Sequence, residues 1–391
     1  MVSVAAVTPK TFKLKSTMAA LVFIASALSL NLQAATCEDI DQPKCTQELS
    51  TGITMSYLEA GQAGGETIFL LHGLTDSSRS WSLAMRELRA AQPDWHIIAL
   101  DQRGHGGTSL PAAEKCADKP EACFKMSDFA DDIVAFMDAK KIAKASFIGH
   151  SMGSFISQEM ALAHPEKVNK IVLVASSNKG LDNPVLRDYV LKEPVEGAWK
   201  KALDAKGITK PADVYNALPS DADPKIEEWL AKFWDVDPVA NPELVKAIVK
   251  DTAQVKLGTW IGATKALLAQ DNTERLKTLS VPTLVLWGTQ DAIFYKDPDQ
   301  TGLQAALAEA AKAGKAKSVW KQYGVTALPA SGAQENELGH NLQWEAPKEI
   351  TADIVAFIKT GMPTLDLYRA DAKQMTTIVT EAGKASLVPA N

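Results

Sequence analysis

The residues best suited to chemistry lie in the pentapeptide Gly149-His150-Ser151-Met152-Gly153. The apolar run 145–148 before it predicts a buried strand, and the apolar spacing of 154–163 after it predicts a helix. A G-x-S-x-G motif between a strand and a helix is typical of a tight turn that holds a serine hydroxyl above the edge of a sheet. Glycine suits both flanks, because neighbouring chain leaves no room for a Cβ there. Ser151 is therefore the candidate nucleophile.

A serine hydroxyl is a weak nucleophile, so it needs a base within hydrogen-bond reach and an acid that orients the base. Five of the six histidines occupy positions with a structural interpretation. They are His72 and His105 in glycine-rich loops, His96 in a strand, His150 in the pentapeptide but pointing away from Ser151, and His164 at a helix end. The sixth, His340, lies in a loop after the last predicted strand. His340 is therefore the candidate base.

The acid is expected between the serine and the histidine in chain order. Asp291 directly follows the apolar run 282–288, at the sheet edge where Ser151 is expected. Asp182, which follows the preceding strand, is the second candidate. An oxyanion also needs two N–H donors, and we expect these to be the backbone N–H groups of Met152 and Leu74.

Apolar runs and helical spacings alternate along most of the chain. Residues 46–60 predict a β-hairpin, and six further strands are predicted at 67–71, 95–100, 145–148, 170–175, 282–288 and 318–323. Helices are predicted between them and at 347–359. The alternation predicts an α/β fold with a mostly parallel eight-stranded sheet and helices on both faces.

The predicted core comprises residues 36–176 and 280–360. Residues 177–279 between its two parts are rich in proline and lack strand patterns, which favours an inserted helical cap. Residues 361–391 are interpreted as a polar C-terminal tail. Trp199, Trp229, Trp234 and Trp260 in the insertion either line an apolar pocket or pack its helices.

Residues 1–35 have the order of a secretory signal peptide, with three lysines, then the apolar run 18–30, then Ala34-Ala35. The prediction is a periplasmic or secreted protein with no membrane span after cleavage; an uncleaved anchor is the alternative. Removing three lysines and no acid takes the net charge from −6 to −9. No basic patch indicates nucleic-acid binding.

The four cysteines form two close pairs, Cys37 with Cys45 and Cys116 with Cys123. In an oxidising compartment two short-loop disulfides are expected, although four cysteines allow three pairings. A zinc site is the competing interpretation. The spacings match no usual zinc pattern and no histidine is close in sequence.

Five motifs in this order resemble those of α/β-hydrolases with a helical cap, in the group of esterases, C–C hydrolases and cofactor-free haloperoxidases. They are His72-Gly73-Leu74-Thr75, Asp101-x-Arg103-Gly104-x-Gly106, the Ser151 pentapeptide, Trp287-Gly288-x-x-Asp291 and Gly339-His340-x-x-x-x-Glu345-x-Pro347. The resemblance implies a serine hydrolase that cleaves an ester, or a related acyl bond, of a small to medium organic molecule through an acyl-enzyme, without a cofactor or metal. It also implies a structural role for Asp101 and Arg103.

Several functions remain open within this resemblance. C–C bond hydrolysis and aminopeptidase-type amide cleavage use the same three residues, and some receptors use the fold only to bind a ligand. Dehalogenases and epoxide hydrolases of this fold use an aspartate nucleophile, so Ser151 argues against both. Ser154 stands where the family more often has glycine, and 48 residues separate Asp291 from His340, which is more than usual.

Overall fold

The computed structural model describes residue 37, residues 43–235, residue 237, residues 240–324 and 338–364, and the backbone of two strands at 378–381 and 384–387. The proposed signal peptide, residues 1–35, and most of the predicted tail lie outside the described residues. Among the residues described, no helix is both long and apolar enough to cross a membrane.

The strands form one mixed sheet in the order β1-β2-β4-β3-β5-β6-β7-β8-β9-β10. They are β1 (Cys45–Glu48), β2 (Thr54–Gly61), β3 (Thr67–Leu71), β4 (His96–Leu100), β5 (Ala145–His150), β6 (Val168–Val174), β7 (Thr283–Gly288), β8 (Ser318–Tyr323), β9 (Ile378–Glu381) and β10 (Lys384–Leu387). The six strands from β3 to β8 are parallel to one another. The first eight strands are those predicted, and the mostly parallel α/β fold is confirmed.

The sheet has two strands more than the sequence predicts. The hairpin β9-β10 comes from the segment interpreted as a tail, and β9 pairs antiparallel with β8. Each strand of the hairpin has only four residues, too few for a clear alternation of apolar and polar side chains. By pairing with β8, β9 covers backbone groups that would otherwise form the edge of the sheet.

Helices pack on both faces of the sheet. The α-helices of the described chain, including those between β6 and β7, are α1 (Ser82–Ala91), α2 (Ala113–Cys116), α3 (Met126–Lys140), α4 (Met152–Ala163), α5 (Lys200–Ala205), α6 (Pro211–Asn216), α7 (Pro219–Ala222), α8 (Ile226–Trp229), α9 (Pro242–Thr252), α10 (Leu257–Leu268), α11 (Thr273–Leu276), α12 (Thr301–Lys312), α13 (Leu342–Glu345) and α14 (Pro347–Thr360). Successive residues of β3 belong to two different cores, with Phe69 in one and Ile68 in the other. This is why residues 68–71 of β3 are all apolar and do not alternate with polar residues.

The chain between β6 and β7 is helical where it is described. It runs from a π-helical segment, Val185–Trp199, through α5 to α8, a second π-helical segment, Leu230–Trp234, and then α9 to α11. Trp260 is fully buried and packs against Trp199 and Trp234. Its role is therefore packing of the helices and not contact with a ligand.

Both cysteine pairs are joined in the structure. Cys37 is bonded to Cys45, and Cys116 to Cys123, with 5.9 Å between the Cα atoms in each case. This is the pairing expected from the sequence for two short-loop disulfides, and the competing zinc site has no free thiolate to bind metal.

The start of α4 packs directly against the end of β3, and glycine at position 153 makes this approach feasible. A Cβ on Gly153 would lie 2.3 Å from the carbonyl oxygen of Leu71.

We predict that Gly153→Ala lowers the free energy of unfolding by about 3 kcal/mol, as expected for overpacking a tight core. Urea denaturation measures this. Gly314→Ala is the matched control: Gly314 has φ +68° but no atom within 4 Å of its Cβ position, so only backbone strain of about 1 kcal/mol is expected. Equal losses in the two variants would contradict the prediction.

Candidate active site

Ser151 lies between β5 and α4 in a strained backbone conformation, with φ 51° and ψ −119°. Its N–H donates to the carbonyl of Val174 at the end of β6, at 3.0 Å, which fixes the turn to the neighbouring strand. Non-glycine residues rarely adopt positive φ, and such strain persists where the surroundings enforce it. The turn places Ser151 on the wall of a cavity of about 270 Å³.

His340 and Asp291 are joined by a hydrogen bond of 2.9 Å between Nδ1 of the imidazole and Oδ1 of the carboxyl. Asp291 is fully buried, and the same Oδ1 accepts from the backbone N–H groups of Ile293 and Phe294 at 2.9 and 3.0 Å. With Oδ1 accepting, Nδ1 of His340 carries the proton, so Nε2 is the basic nitrogen of the neutral ring. Asp182 is exposed and has no such contact. Of the two candidate acids, Asp291 is the one that meets His340.

His150 does not point away from the site, and this part of the sequence interpretation is wrong. Its side chain lines the same cavity as Ser151, and its Nε2–H donates to the carbonyl oxygen of His340 at 2.9 Å. The two imidazole rings pack edge to face with centroids 4.9 Å apart. Burial, and then the neighbouring His340, lower the pKa of His150 well below its usual value, so the ring is neutral. His150 therefore holds the segment that carries His340.

The loop after β3 reaches the cavity through Gly73 and Leu74. His72 fixes this loop, because its Nδ1–H donates to the carbonyl of Gly73 at 2.7 Å while its Nε2 accepts from the N–H of Gln102 at 3.0 Å. Burial lowers the pKa of His72 to about 3, which keeps one nitrogen free to accept. The predicted second donor, the N–H of Met152, is at the first position of α4, where no preceding helical carbonyl is available to it.

The second wall of the cavity comes from the inserted helices. Phe233, Trp234 and Asp235 line it, and the indole N–H of Trp234 donates to the hydroxyl of Thr75 at 2.8 Å. Thr75 directly follows Leu74 and has φ 62°. The insertion is thereby bonded to the loop that borders Ser151.

Two buried carboxyl groups in the cavity were not predicted from the sequence. Burial raises the pKa of Asp76 to about 7. Burial, and then the proximity of Asp76, raise the pKa of Asp235 well above its usual value. Asp76 comes from the loop after β3 and Asp235 from the insertion, and only folding brings them together.

A second cavity, of about 720 Å³, lies within the insertion and shares Val185, Phe233 and Trp234 with the first. Trp199 and Trp229 line it as well. Three of the four tryptophans considered in the sequence therefore border a cleft that adjoins Ser151. This aromatic cleft could accommodate an apolar part of a ligand.

Asp101 and Arg103 hold loops together and do not line the cavity. Asp101 accepts from the N–H groups of Ser78 and Gly107, both at 2.7 Å, and pairs with Lys44 at 2.9 Å. Arg103 is paired with Asp132 at 2.7 Å. These contacts agree with the structural role that the resemblance implies.

Comparison with known proteins places this chain in a family. Residues 66–301 match the model of a family described as having the alpha/beta hydrolase fold. The chain belongs to this family. The family suggested by the five sequence motifs is therefore confirmed, and with it the prediction that the chain is an enzyme of the hydrolase class.

Relatives of this chain include 3-oxoadipate enol-lactonase 2 of Acinetobacter baylyi, 22% identical over 62% of this chain and 77% of the relative. Epoxide hydrolase 4 of Mus musculus is 27% identical, but the match covers only 37% of each chain. A solved enol-lactonase of Burkholderia xenovorans superposes with a TM-score of 0.54 at 19% identity, over 81% of this chain and all of that one. An esterase of Exiguobacterium antarcticum gives 0.57 at 17% identity, over 81% and 99%. At such identities the superpositions establish the fold.

Proposed function

We propose that this protein is a serine hydrolase that cleaves an ester, or a related acyl bond, of a small to medium organic molecule, with Ser151, His340 and Asp291 as its catalytic residues. One observation carries the proposal. Ser151 and His340 line one cavity, and His340 is hydrogen-bonded to the buried Asp291 through the nitrogen that leaves its other nitrogen basic.

In the proposed reaction Oγ of Ser151 attacks the carbonyl carbon of the substrate while its proton passes to Nε2 of His340. The negative charge that develops on the carbonyl oxygen is stabilised by the backbone N–H groups of Leu74 and Met152, and the second gains from the dipole of α4. His340 then returns the proton to the leaving group, and an acyl-enzyme forms. A water molecule, deprotonated by His340, releases the acid and restores the Ser151 hydroxyl.

The type of nucleophile determines which reaction of the named relatives we propose for this chain. Ser151 at the turn supports an acyl-enzyme of the kind an esterase or a lactonase forms, since epoxide opening on this fold uses an aspartate. The carboxyls Asp76 and Asp235 do not occupy the turn between β5 and α4. An ester or lactone carbonyl is therefore the substrate group that we propose.

A fluorophosphonate probe tests the reaction class directly. We expect the wild-type protein to be labelled on Ser151, because the base and the N–H donors that serve an ester also serve a phosphonyl group. Mass spectrometry of the labelled peptide locates the adduct, and Ser151→Ala should not be labelled. An unlabelled wild-type protein would count against the enzyme and in favour of a ligand-binding role.

We further propose that the protein is exported, as the order of residues in 1–35 predicts. The two disulfides support this proposal, since disulfides persist in oxidising compartments. Cell fractionation and N-terminal sequencing of the recovered protein test it, and a mature protein beginning near Ala35 is expected. Recovery of the uncleaved chain in the cytoplasm would refute it.

The disulfide between Cys116 and Cys123 closes a short loop beside the Arg103 ion pair, and the carbonyl of Cys123 accepts from Arg103 at 2.8 Å. We predict that replacing both cysteines by serine lowers the free energy of unfolding by about 2–3 kcal/mol, since the open loop gains entropy in the unfolded chain. Urea denaturation under non-reducing conditions measures the loss. Reducing agent should destabilise the wild type at least as much, and an unchanged midpoint in the variant would contradict the prediction.

A further inference from the structure

The charged side chains that line the two cavities, apart from the histidines, are all acidic. Asp76 and Asp235 line the cavity beside Ser151, and Glu193 and Asp223 line the aromatic cleft. Neither set of described lining residues contains a lysine or an arginine. Both cavities therefore offer carboxyl groups, and no basic side chain, to a positively charged ligand.

Lys44, whose charge acts on Asp76, is engaged elsewhere, and so is Arg79. Lys44 pairs with Asp101 and Asp251 at 2.9 and 2.8 Å, and Arg79 lies 3.4 Å from Asp251. Within the described part of the chain, Asp76 and Asp235 form no ion pair. No neighbouring side chain therefore balances the negative charge that either carboxyl carries when it is ionised.

The two carboxyl groups are buried, and each is only partly hydrogen-bonded. Asp76 is 6% exposed and Asp235 is 4% exposed. Each has one buried oxygen, Oδ2, that accepts no hydrogen bond from the described residues. A buried carboxyl oxygen without a partner is costly, so one in each of two carboxyls of the same cavity indicates a group that the protein itself does not supply.

Aromatic side chains complete this part of the cavity. Phe233, Trp234 and Trp344 line it together with the two carboxyl groups. Aromatic faces attract cations, and they do so most strongly where water is excluded. Carboxyls combined with aromatic walls form a chemical environment that suits an alkylammonium group.

We propose that the ligand of this cavity carries an ammonium group, which Asp76 and Asp235 hold beside Ser151. The substrate would then be an ester or lactone that contains an amine, and this substrate class rests on the proposed function. The ammonium group lies against the two carboxyl groups and donates its N–H groups to them. The raised pKa values of both carboxyls are consistent with this, because a bound cation would favour their charged forms.

Calorimetric titration of the wild-type protein with n-hexylammonium chloride and with 1-hexanol tests the proposal. The two molecules share their alkyl chain and differ in the group that faces the carboxyls. We expect the dissociation constant of hexylammonium to be at least about tenfold lower than that of hexanol. In Asp76→Asn and in Asp235→Asn this ratio should fall to about threefold or less, while hexanol binds each variant as it binds the wild type.

Asp204→Asn is the matched control, because Asp204 pairs with Lys200 on the surface and lies outside both cavities. It should keep the wild-type ratio. Equal binding of the two molecules, tighter binding of hexanol, or an undiminished ratio in both cavity variants would overturn the proposal. Should one variant fail to fold, the other still decides. No bond is cleaved in this experiment, so its outcome is independent of fluorophosphonate labelling, which tests the proposed reaction.

Discussion

Replacing Ser151 by alanine is expected to lower kcat/KM for an activated aryl ester by about 10⁴- to 10⁶-fold. The variant loses the nucleophile, while its backbone N–H donors and the cavity walls remain. The residual rate then reflects only binding and stabilisation of the oxyanion with water as the attacking group. Hydrolysis of 4-nitrophenyl acetate followed at 400 nm measures the loss, and a pre-steady-state burst present only in the wild type would report the acyl-enzyme.

Ser157→Ala is the matched control for this substitution. Ser157 is a buried serine of α4, the helix that follows Ser151. Its hydroxyl donates to the carbonyl of Gly153, one turn earlier, at 3.0 Å. It lies outside the cavity lining, so the rate should stay within about threefold of the wild type. If Ser151→Ala retained a tenth or more of the wild-type rate, Ser151 would not be the nucleophile.

The parts of the fold that could be predicted from the sequence are those in which burial imposes a pattern. The parallel strands are apolar on both faces because each face packs against helices, and Phe69 and Ile68 of β3 show this directly. The hairpin β9-β10 could not be predicted, because its strands are too short to show a period and their pairing with β8 is set by topology.

Part of the candidate site could likewise be predicted from the sequence, and part of it could not. Chain order and sheet-edge position predicted Asp291 and His340 as acid and base, since the carboxyl ends of parallel strands meet at one edge, and the structure joins the two side chains by a hydrogen bond. The direction of the His150 side chain was misjudged, because it depends on the positive φ of Ser151 and on a carbonyl 190 residues later in the chain. Asp76 and Asp235 carry no local signal at all. What distinguishes them is one buried oxygen in each carboxyl with no hydrogen-bond partner among the described residues, and this exists only in the folded protein.

Together these residues form three layers around Ser151. His340 is hydrogen-bonded to Asp291, and His72 and His150 hold the two segments that border Ser151. The insertion closes the cavity and is bonded to the loop after β3 through Trp234 and Thr75. That loop carries Leu74, the oxyanion donor that we propose, so we expect a ligand that contacts Trp234 to bear on the position of that donor.

Asp291→Asn is expected to lower kcat by about 10²- to 10⁴-fold with the fold intact. The N–H groups of Ile293 and Phe294 both donate to Oδ1, so they should orient the new amide with its oxygen in that place. The amide nitrogen then occupies the position of Oδ2, which has no hydrogen-bond partner among the described residues. The bond to His340 is thus kept, and what is lost is the negative charge that stabilises the imidazolium formed during the reaction.

Asp182→Asn provides the matched control, because Asp182 is an exposed aspartate that follows the adjacent strand. It should leave kcat unchanged, and thermal unfolding should show both variants folded. The opposite pattern, with Asp182→Asn inactive and Asp291→Asn active, would reassign the acid. Asp291→Ala separates the effect of the hydrogen bond from that of the charge. Because this variant also removes the acceptor that orients the His340 ring, the kcat of Asp291→Ala should be lower than that of Asp291→Asn. Equal rates for the two variants would show that the charge of Asp291, and not its hydrogen bond to His340, accounts for the whole effect.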